Sequence, residues 1–353
     1  MVPELRDAFD ASTEAVNWGY VAYILPFSVL LIVSGTIGER YGRRRVLIST
    51  YVGFAVASLI CAVSTELWMF LVGRALQGVA NAFVTPLLIA GLAEVVRSER
   101  LGRSVGFYSS MQALGSAFGP YLGGVAADTN WRLAFLGVAV ASLILVPFAP
   151  PGAPRQDTEP TPIRPLMSPR MVWFGVAVMF AAAGPLGASV LIGIKARDEL
   201  GISGSAAGTL LLTGSLIAMV LGPVWGRVLD RYGPRATGTV AVGIVSLISG
   251  SIAWADTTTL LTLNWMFLGA LTPIVVITFQ SVGAVAVPEN RAGGLSMILA
   301  WRFLGHGLGP LIFVPMWIVA PKAAFVVAAS LGLVTMVGFL TAAEPDRNTT
   351  TPT

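Results

Sequence analysis

Charge is scarce in this sequence. Asp, Glu, Lys and Arg make up 11% of 353 residues, less than half the ~25% of an ordinary soluble chain. Hydrophobic residues reach 55%, and mean hydropathy is +0.77. A soluble molecule of this size has a large water-facing surface to cover with polar side chains. Eighteen acids, 22 Lys plus Arg and one His cannot cover it, so the apolar excess faces lipid. Cysteine is nearly absent: Cys61 stands alone, which excludes an internal disulfide and a cysteine-based metal cluster. There is no phosphate-cradling GxxxxGK(S/T) loop, which disfavours ATP-driven work. No nucleophile–His–acid set, metal-ligand spacing or dinucleotide fingerprint points to an enzyme or to a cofactor. The opening residues, MVPELRDAFDASTEA, lack the basic start and apolar core of a cleavable signal peptide.

What is present is a series of apolar stretches near the ~20 residues that cross a bilayer core as a helix. They run over about 16–37, 46–64, 67–93, 103–126, 131–149, 171–193, 206–229, 236–254, 259–286, 292–318 and 321–342. The expected fold is therefore an all-α polytopic membrane protein of about eleven transmembrane helices. The net charge of +4 does not imply nucleic acid, because the basic residues sit in short runs between apolar stretches. Fifteen Lys and Arg fall in one set of alternate loops and the C-terminal tail, including Arg40, Arg43, Arg97, Arg170, Arg231 and Arg291. Five fall on the other side: Arg6, Arg132, Lys195, Arg197 and Lys322. The positive-inside rule puts the arginine-rich side and the C-terminus in the cytoplasm, with the N-terminus outside, in a multi-pass arrangement in the cell membrane. The Pro-rich polar stretch over 151–170 reads as a cytoplasmic linker between an N-terminal bundle (1–150) and a C-terminal one (171–343). A disordered tail (344–353) follows.

The two halves repeat each other. Glu39-Arg40-Tyr41-Gly42 recurs as Asp230-Arg231-Tyr232-Gly233, an offset of 191 residues (39 to 230). Leu114-Gly115 with Gly119-Pro120 recurs as Leu304-Gly305 with Gly309-Pro310, an offset of 190 (115 to 305). The stretch 171–193 precedes the second copy of the turn, so its partner is expected upstream of Met1. The expectation is a six-plus-six arrangement with its first helix left off.

Three motifs carry chemistry. The first is Gly35-x-x-Gly38-Glu39-Arg40-x-Gly42-Arg43, whose glycines permit close helix approach and a tight turn and whose charges can pair at a helix mouth. The second places Arg74, Gln77, Gly78 and Asn81 on one helical face. An arginine inside a span costs about 2.5–3.5 kcal/mol on insertion scales and needs a cavity or a partner. The third is Gly115-x-x-x-Gly119-Pro120-x-x-Gly123-Gly124, small residues four apart with a kinking proline. Arg302 and His306, one turn apart, add two ionisable groups to the last but one stretch. Gln112 aligns with Arg302 in the repeat, and Gln280, Asn17, Trp18 and Tyr23 are further polar or aromatic cavity candidates.

On these motifs the chain resembles the major facilitator superfamily, whose members share a glycine–acid–arginine loop signature. The acid is usually Asp there and is Glu39 here. The resemblance implies two six-helix bundles about a pseudo-two-fold axis. It also implies a gate network of Glu39, Arg40, Glu94 and Arg97, mirrored at Asp230 and Arg231. Arg74-x-x-Gln77-Gly78 is similar to the proton-linked motif of the drug:proton antiporter groups, and the Gly119-Pro120 motif is similar to the helix-five motif of exporters. It implies a monomer in membrane lipid that moves small drug-like molecules outward against protons through a pathway of Arg74, Gln77, Asn81, Gln112, Gln280, Arg302 and His306. Two alternatives stay open: a carrier of a defined metabolite such as an organic anion or sugar, and a non-transporting truncated protein.

Overall fold

The structure is a computed structural model, and it describes residues 1–95, 111, 114–115, 118–150, 152, 167–287 and 291–341. Among the described residues every regular element is a helix. Eight are long and apolar enough to cross a membrane, and two apolar segments, Arg132–Phe148 and Pro169–Ala183, are shorter. In chain order they are α1 (Val2–Phe9), α2 (Thr13–Tyr41), α3 (Arg43–Val63), α4 (Leu67–Asn81), α5 (Val84–Val95), α6 (118–129) and α7 (Arg132–Leu145). Then come α8 (Pro169–Ala183), α9 (Ser189–Asp198), α10 (Gly204–Tyr232), α11 (Pro234–Ser251), α12 (Thr258–Ala286), α13 (Arg291–Val319), α14 (Pro321–Ser330) and α15 (Gly332–Thr341).

The repeat is written into local structure. Ser12 caps α2 by accepting from the Ala15 amide at 3.1 Å, and Ser203 caps α10 by accepting from the Ala206 amide at 3.2 Å. Both helices run 29 residues, ~43 Å at 1.5 Å per residue, and both stop at a glycine with positive φ. Gly42 has φ 90° and Gly233 φ 76°, a region that penalises any side chain. These landmarks are 191 residues apart (12 to 203, 42 to 233), as are the starts of α4 and α12 (67 to 258). Packing follows the same rule. α2 lies on α4 as α10 lies on α12, α3 on α4 as α11 on α12, and α3 on α7 as α11 on α14 and α15. Two seams join the halves, α2 against α13 and α6 against α10. In the second half one apolar cluster runs through Phe174, Phe279 and Phe339, the last two stacked at 5.3 Å.

Three spans differ from the expectation. The stretch 171–193 is broken after Ala183 and resumes at Ser189, because Pro185 lacks an amide donor and Gly184 leaves the helical region at φ −97°, ψ −102°. The stretch 67–93 breaks at Ala82-Phe83, one turn before Pro86, and 131–149 ends in a 3₁₀ turn over Val146–Phe148 at Pro147. Lys195 and Arg197, expected in a loop, lie inside α9. Lys195 is 2% exposed, bonded to Glu199 at 2.7 Å and facing the Trp317 ring at 5.9 Å. Half of the stretch 103–126 and most of the linker lie outside the described residues.

Candidate functional site

Gly78 brings α4 against α2 so closely that an added Cβ would overlap the Tyr23 carbonyl oxygen. That approach lets Arg74 cross between the helices. Its Nε donates to the Gly19 carbonyl at 3.0 Å, and one terminal amino group donates to Gln77 Oε1 at 2.7 Å. Gln77 in turn donates to Ser58 Oγ of α3 at 2.7 Å, and the Arg74 guanidinium sits 4.5 Å from the Tyr23 ring centroid. Asn81 donates to the Tyr23 hydroxyl at 2.6 Å. Arg74, Gln77 and Asn81 thus share a face as the spacing predicts. Gln77 is 2% exposed and serves as a link between α3 and α4, not as an open wall.

Arg302 and His306 lie on the α13 face between its two neighbours. Trp301, Gly305 and Gly309 meet Gly175, Met179 and Ala183 of α8, whereas Phe303 and Gly307 meet Phe27 and Ile24 of α2. At 100° per residue, positions 302 and 306 point into the gap between α8 and α2. His306 Nδ1 stands 2.9 Å from the Arg302 carbonyl. A carbonyl only accepts, so Nδ1 carries the hydrogen and Nε2 faces away as an acceptor in the neutral ring. An aromatic strip crosses the seam here. Tyr23 stacks on Phe27 at 6.1 Å, Phe27 meets Phe303 edge-on at 4.8 Å, and Phe303 lies 6.3 Å from His306.

The end of the bundle that carries Ser12 and Ser203 is clamped across the second seam. Asp128 of α6 accepts from the Gly204 and Ser205 amides at 2.6 and 2.7 Å, occupying the N-terminus of α10, where dipole and orphan amides favour an anion. Its carboxyl is held below the usual carboxylate range. The Ser205 hydroxyl contributes first and the backbone amides next, with the Arg197 guanidinium adding to them. Arg197 lies 3.6 Å from Asp128 and also pairs with Glu4 of α1, and Arg6 lies 3.8 Å from Asp198. None of these acids was singled out in the sequence. The available signal was that the few charges on the less basic side come in opposite signs.

The remaining expectations divide. In the glycine–acid–arginine loop, Gly38 lets Leu87 of α5 pack against α2, Gly42 makes the turn, and Arg43 is 3% exposed. Arg40 and Arg231 lie over their own neighbouring rings, Tyr41 and Tyr232, at 5.7 and 5.4 Å. Gly35 falls within α2. The side chains of Glu39, Glu94 and Asp230, and all of Arg97 and Gln112, lie outside the described residues. In the exporter-like motif, Gly124 meets the Gly204 carbonyl of α10 and the Pro120 carbonyl meets Gly208. Gly123 comes within reach of Met1. Gly115 and Gly119, expected to receive a neighbouring helix, meet nothing among the described residues, whereas their repeat counterparts Gly305 and Gly309 seat α8. Gln280 is half-buried in α12, Asn17 is buried in α2, and Trp18 is 49% exposed.

The family model of the Major Facilitator Superfamily matches residues 1–310. An uncharacterized MFS-type transporter of Mycobacterium tuberculosis is 28% identical over 308 residues, covering 85% of this chain and 41% of that protein. The drug efflux pump JefA of the same organism is 26% identical over 219 residues, covering 61% of this chain and 41% of the pump. The chain therefore spans about two fifths of the length of these relatives. Among solved structures, the nucleoside transporter NupG superposes with a TM-score of 0.76 at 14% identity, over 97% of this chain and 94% of that one.

Proposed function

We propose, from the premise that this chain belongs to the Major Facilitator Superfamily, a family of multi-pass membrane transporters and not of enzymes, that it exports drug-like or amphipathic small molecules in exchange for protons. The observation that carries the transport reading is the clamp of Asp128 on the α10 N-terminus. It closes one end of the seam between halves with hydrogen bonds and ion pairs, contacts that alternating access can break and remake without unpacking a core. Outward direction rests on the Gly115–Gly124 motif and on similarity to the drug efflux pump JefA.

On this reading the clamp faces outside, as the arginine count requires, and the chain works as a monomer in the cell membrane. Two bundles, 1–150 and 171–343, rock about the linker over 151–170. Arg74, Asn81, Gln112, Gln280, Arg302 and His306 line the pathway, with Gln77 fixing Arg74. Glu39, Arg40, Glu94 and Arg97, with Asp230 and Arg231, gate the opposite end. The face of Gly115 and Gly119, bare among the described residues where Gly305 and Gly309 are occupied, is where a counterpart of α8 would pack on α6.

The test is expression in a pump-deficient bacterial host with dye accumulation as the readout. Lower accumulation that a protonophore restores is expected. Unchanged accumulation, with the protein in the membrane and an upstream helix supplied, would end the exporter reading.

A further inference from the structure

Among the described residues, Arg74 and Arg302 stand well inside apolar helices with no carboxylate paired to them. Read along the sequence, all 18 carboxylates fall outside the middle of the apolar stretches. Arg302 is eleven residues inside α13, ~16 Å along its axis. Its Nε is buried without a hydrogen-bond partner among the described residues, and every ion pair described between side chains lies at the Ser12 end. Arg74 differs, because Gly19 and Gln77 hold it as neutral acceptors. Its guanidinium carbon lies 4.9 Å from the Phe303 ring centroid, so one face rests on that ring, while among the described residues its N–H edge meets neither carboxylate nor carbonyl, an arrangement that suits a planar oxyanion. Beside it, His306 presents Nε2, and the Tyr23–Phe27–Phe303 strip offers ring faces and edges to an apolar body.

Resting on the transporter reading above, we infer that the substrates of this protein are aromatic oxyanions. Their anionic group is bound by Arg302 with His306, and their ring system lies along the strip from Tyr23 to Phe303. The strip spans the seam, so such a substrate touches α2 of one half and α13 of the other. That is where a ligand must sit to sense their relative rocking.

The xanthene scaffold supplies matched probes, carboxyfluorescein as anion and rhodamine 123 as cation. Binding of each to the purified full chain in detergent is read by fluorescence polarisation, and transport is read in proteoliposomes. Carboxyfluorescein is expected to bind at least tenfold tighter than rhodamine 123. Arg302→Gln should remove that preference, weakening the anion tenfold or more and leaving the cation within twofold, while Arg302→Lys retains part of it. His306→Gln should weaken the anion by a smaller factor. Arg302→Met controls for folding: it orphans no hydrogen-bond or ion-pair partner among the described residues and keeps an apolar contact with Phe303, so it should melt no lower than the native chain. Equal loss of both dyes in Arg302→Gln, no loss of either, a native preference for the cation, or no binding of either dye would each overturn the inference. Anion binding that depends on Arg302 without transport would keep it and sink the exporter reading alone.

Discussion

Replacing Gly309 by Ala should destabilise the protein, and replacing Gly119 by Ala in the same 353-residue chain should not. A Cβ at Gly309 would overlap the Ala183 carbonyl oxygen and lie 3.1 Å from both the carbonyl carbon and the Cα of that residue. Backbone atoms cannot rotate away, so α13 would have to withdraw from α8 by several tenths of an ångström. It has nowhere to go, because Gly307, on the face toward α2, is already in contact with Ile24. Overpacking of this kind costs about 1–3 kcal/mol, which corresponds to a melting shift of roughly 1–4 °C for a chain of this size. At Gly119 an added Cβ meets nothing within 4 Å among the described residues, so the expected shift is within 1 °C, about 0.5 kcal/mol or less. Thermal unfolding of the purified variants in one detergent, followed by tryptophan fluorescence, gives both values. Equal destabilisation by the two substitutions, or a silent Gly309→Ala, would refute the reasoning that the seat α8 fills at Gly305 and Gly309 is bare, among the described residues, at Gly115 and Gly119.

Other outcomes follow from the same contacts. Arg74→Gln orphans the Gly19 carbonyl and Gln77 and should cost about 1–3 kcal/mol, whereas Gln77→Glu, which gives Arg74 a charge partner, should raise the melting temperature. Asp128→Asn should loosen the clamp, seen as faster modification of a cysteine placed at Ser205. Because the Asp128 carboxyl lies below the ordinary value, its contribution is complete above pH ~4 and fades only as pH falls through the depressed value. Clamp opening by pH alone should therefore be absent at pH 5, and opening between pH 7 and 5 would contradict this assignment. Glu199→Gln leaves the buried Lys195 ammonium with only Asp256, at 4.0 Å, and should destabilise by about 3 kcal/mol, a loss that Lys195→Met in the same chain should largely recover. Cys61 is fully buried, so the native chain should resist a membrane-impermeant maleimide. A cysteine at Asp10 should label in intact cells and one at Arg44 should not; the reverse pattern would invert the orientation read from the arginine count.

Much of this architecture was legible because its signals are local or periodic. Apolar length marks spans, and the doubled Arg-Tyr-Gly turn marks the repeat to the residue, since only glycine suits the positive φ at 42 and 233. The Arg74 face followed from helical spacing. What escaped depends on where distant segments meet. Pro185 and Gly184 break an apolar stretch of ordinary hydropathy, and Lys195 is buried because Glu199 and Trp317 receive it. Asp128 was one acid among many until α10 arrived beneath it, 76 residues later. Arg302 could be seen from sequence as an ionisable group in a span. That its guanidinium rests on the Phe303 ring, with Nε lacking a hydrogen-bond partner among the described residues, became visible only in the packed helices.

The most direct test of the account is transport by the full chain in proteoliposomes under an imposed proton gradient, with a fluorescent dye trapped on the side from which the clamp is expected to point away. The account predicts dye movement against its own gradient for as long as the proton gradient lasts, collapsing when a protonophore is added. Dye flux equal to that of empty vesicles, or flux indifferent to the proton gradient, would contradict it.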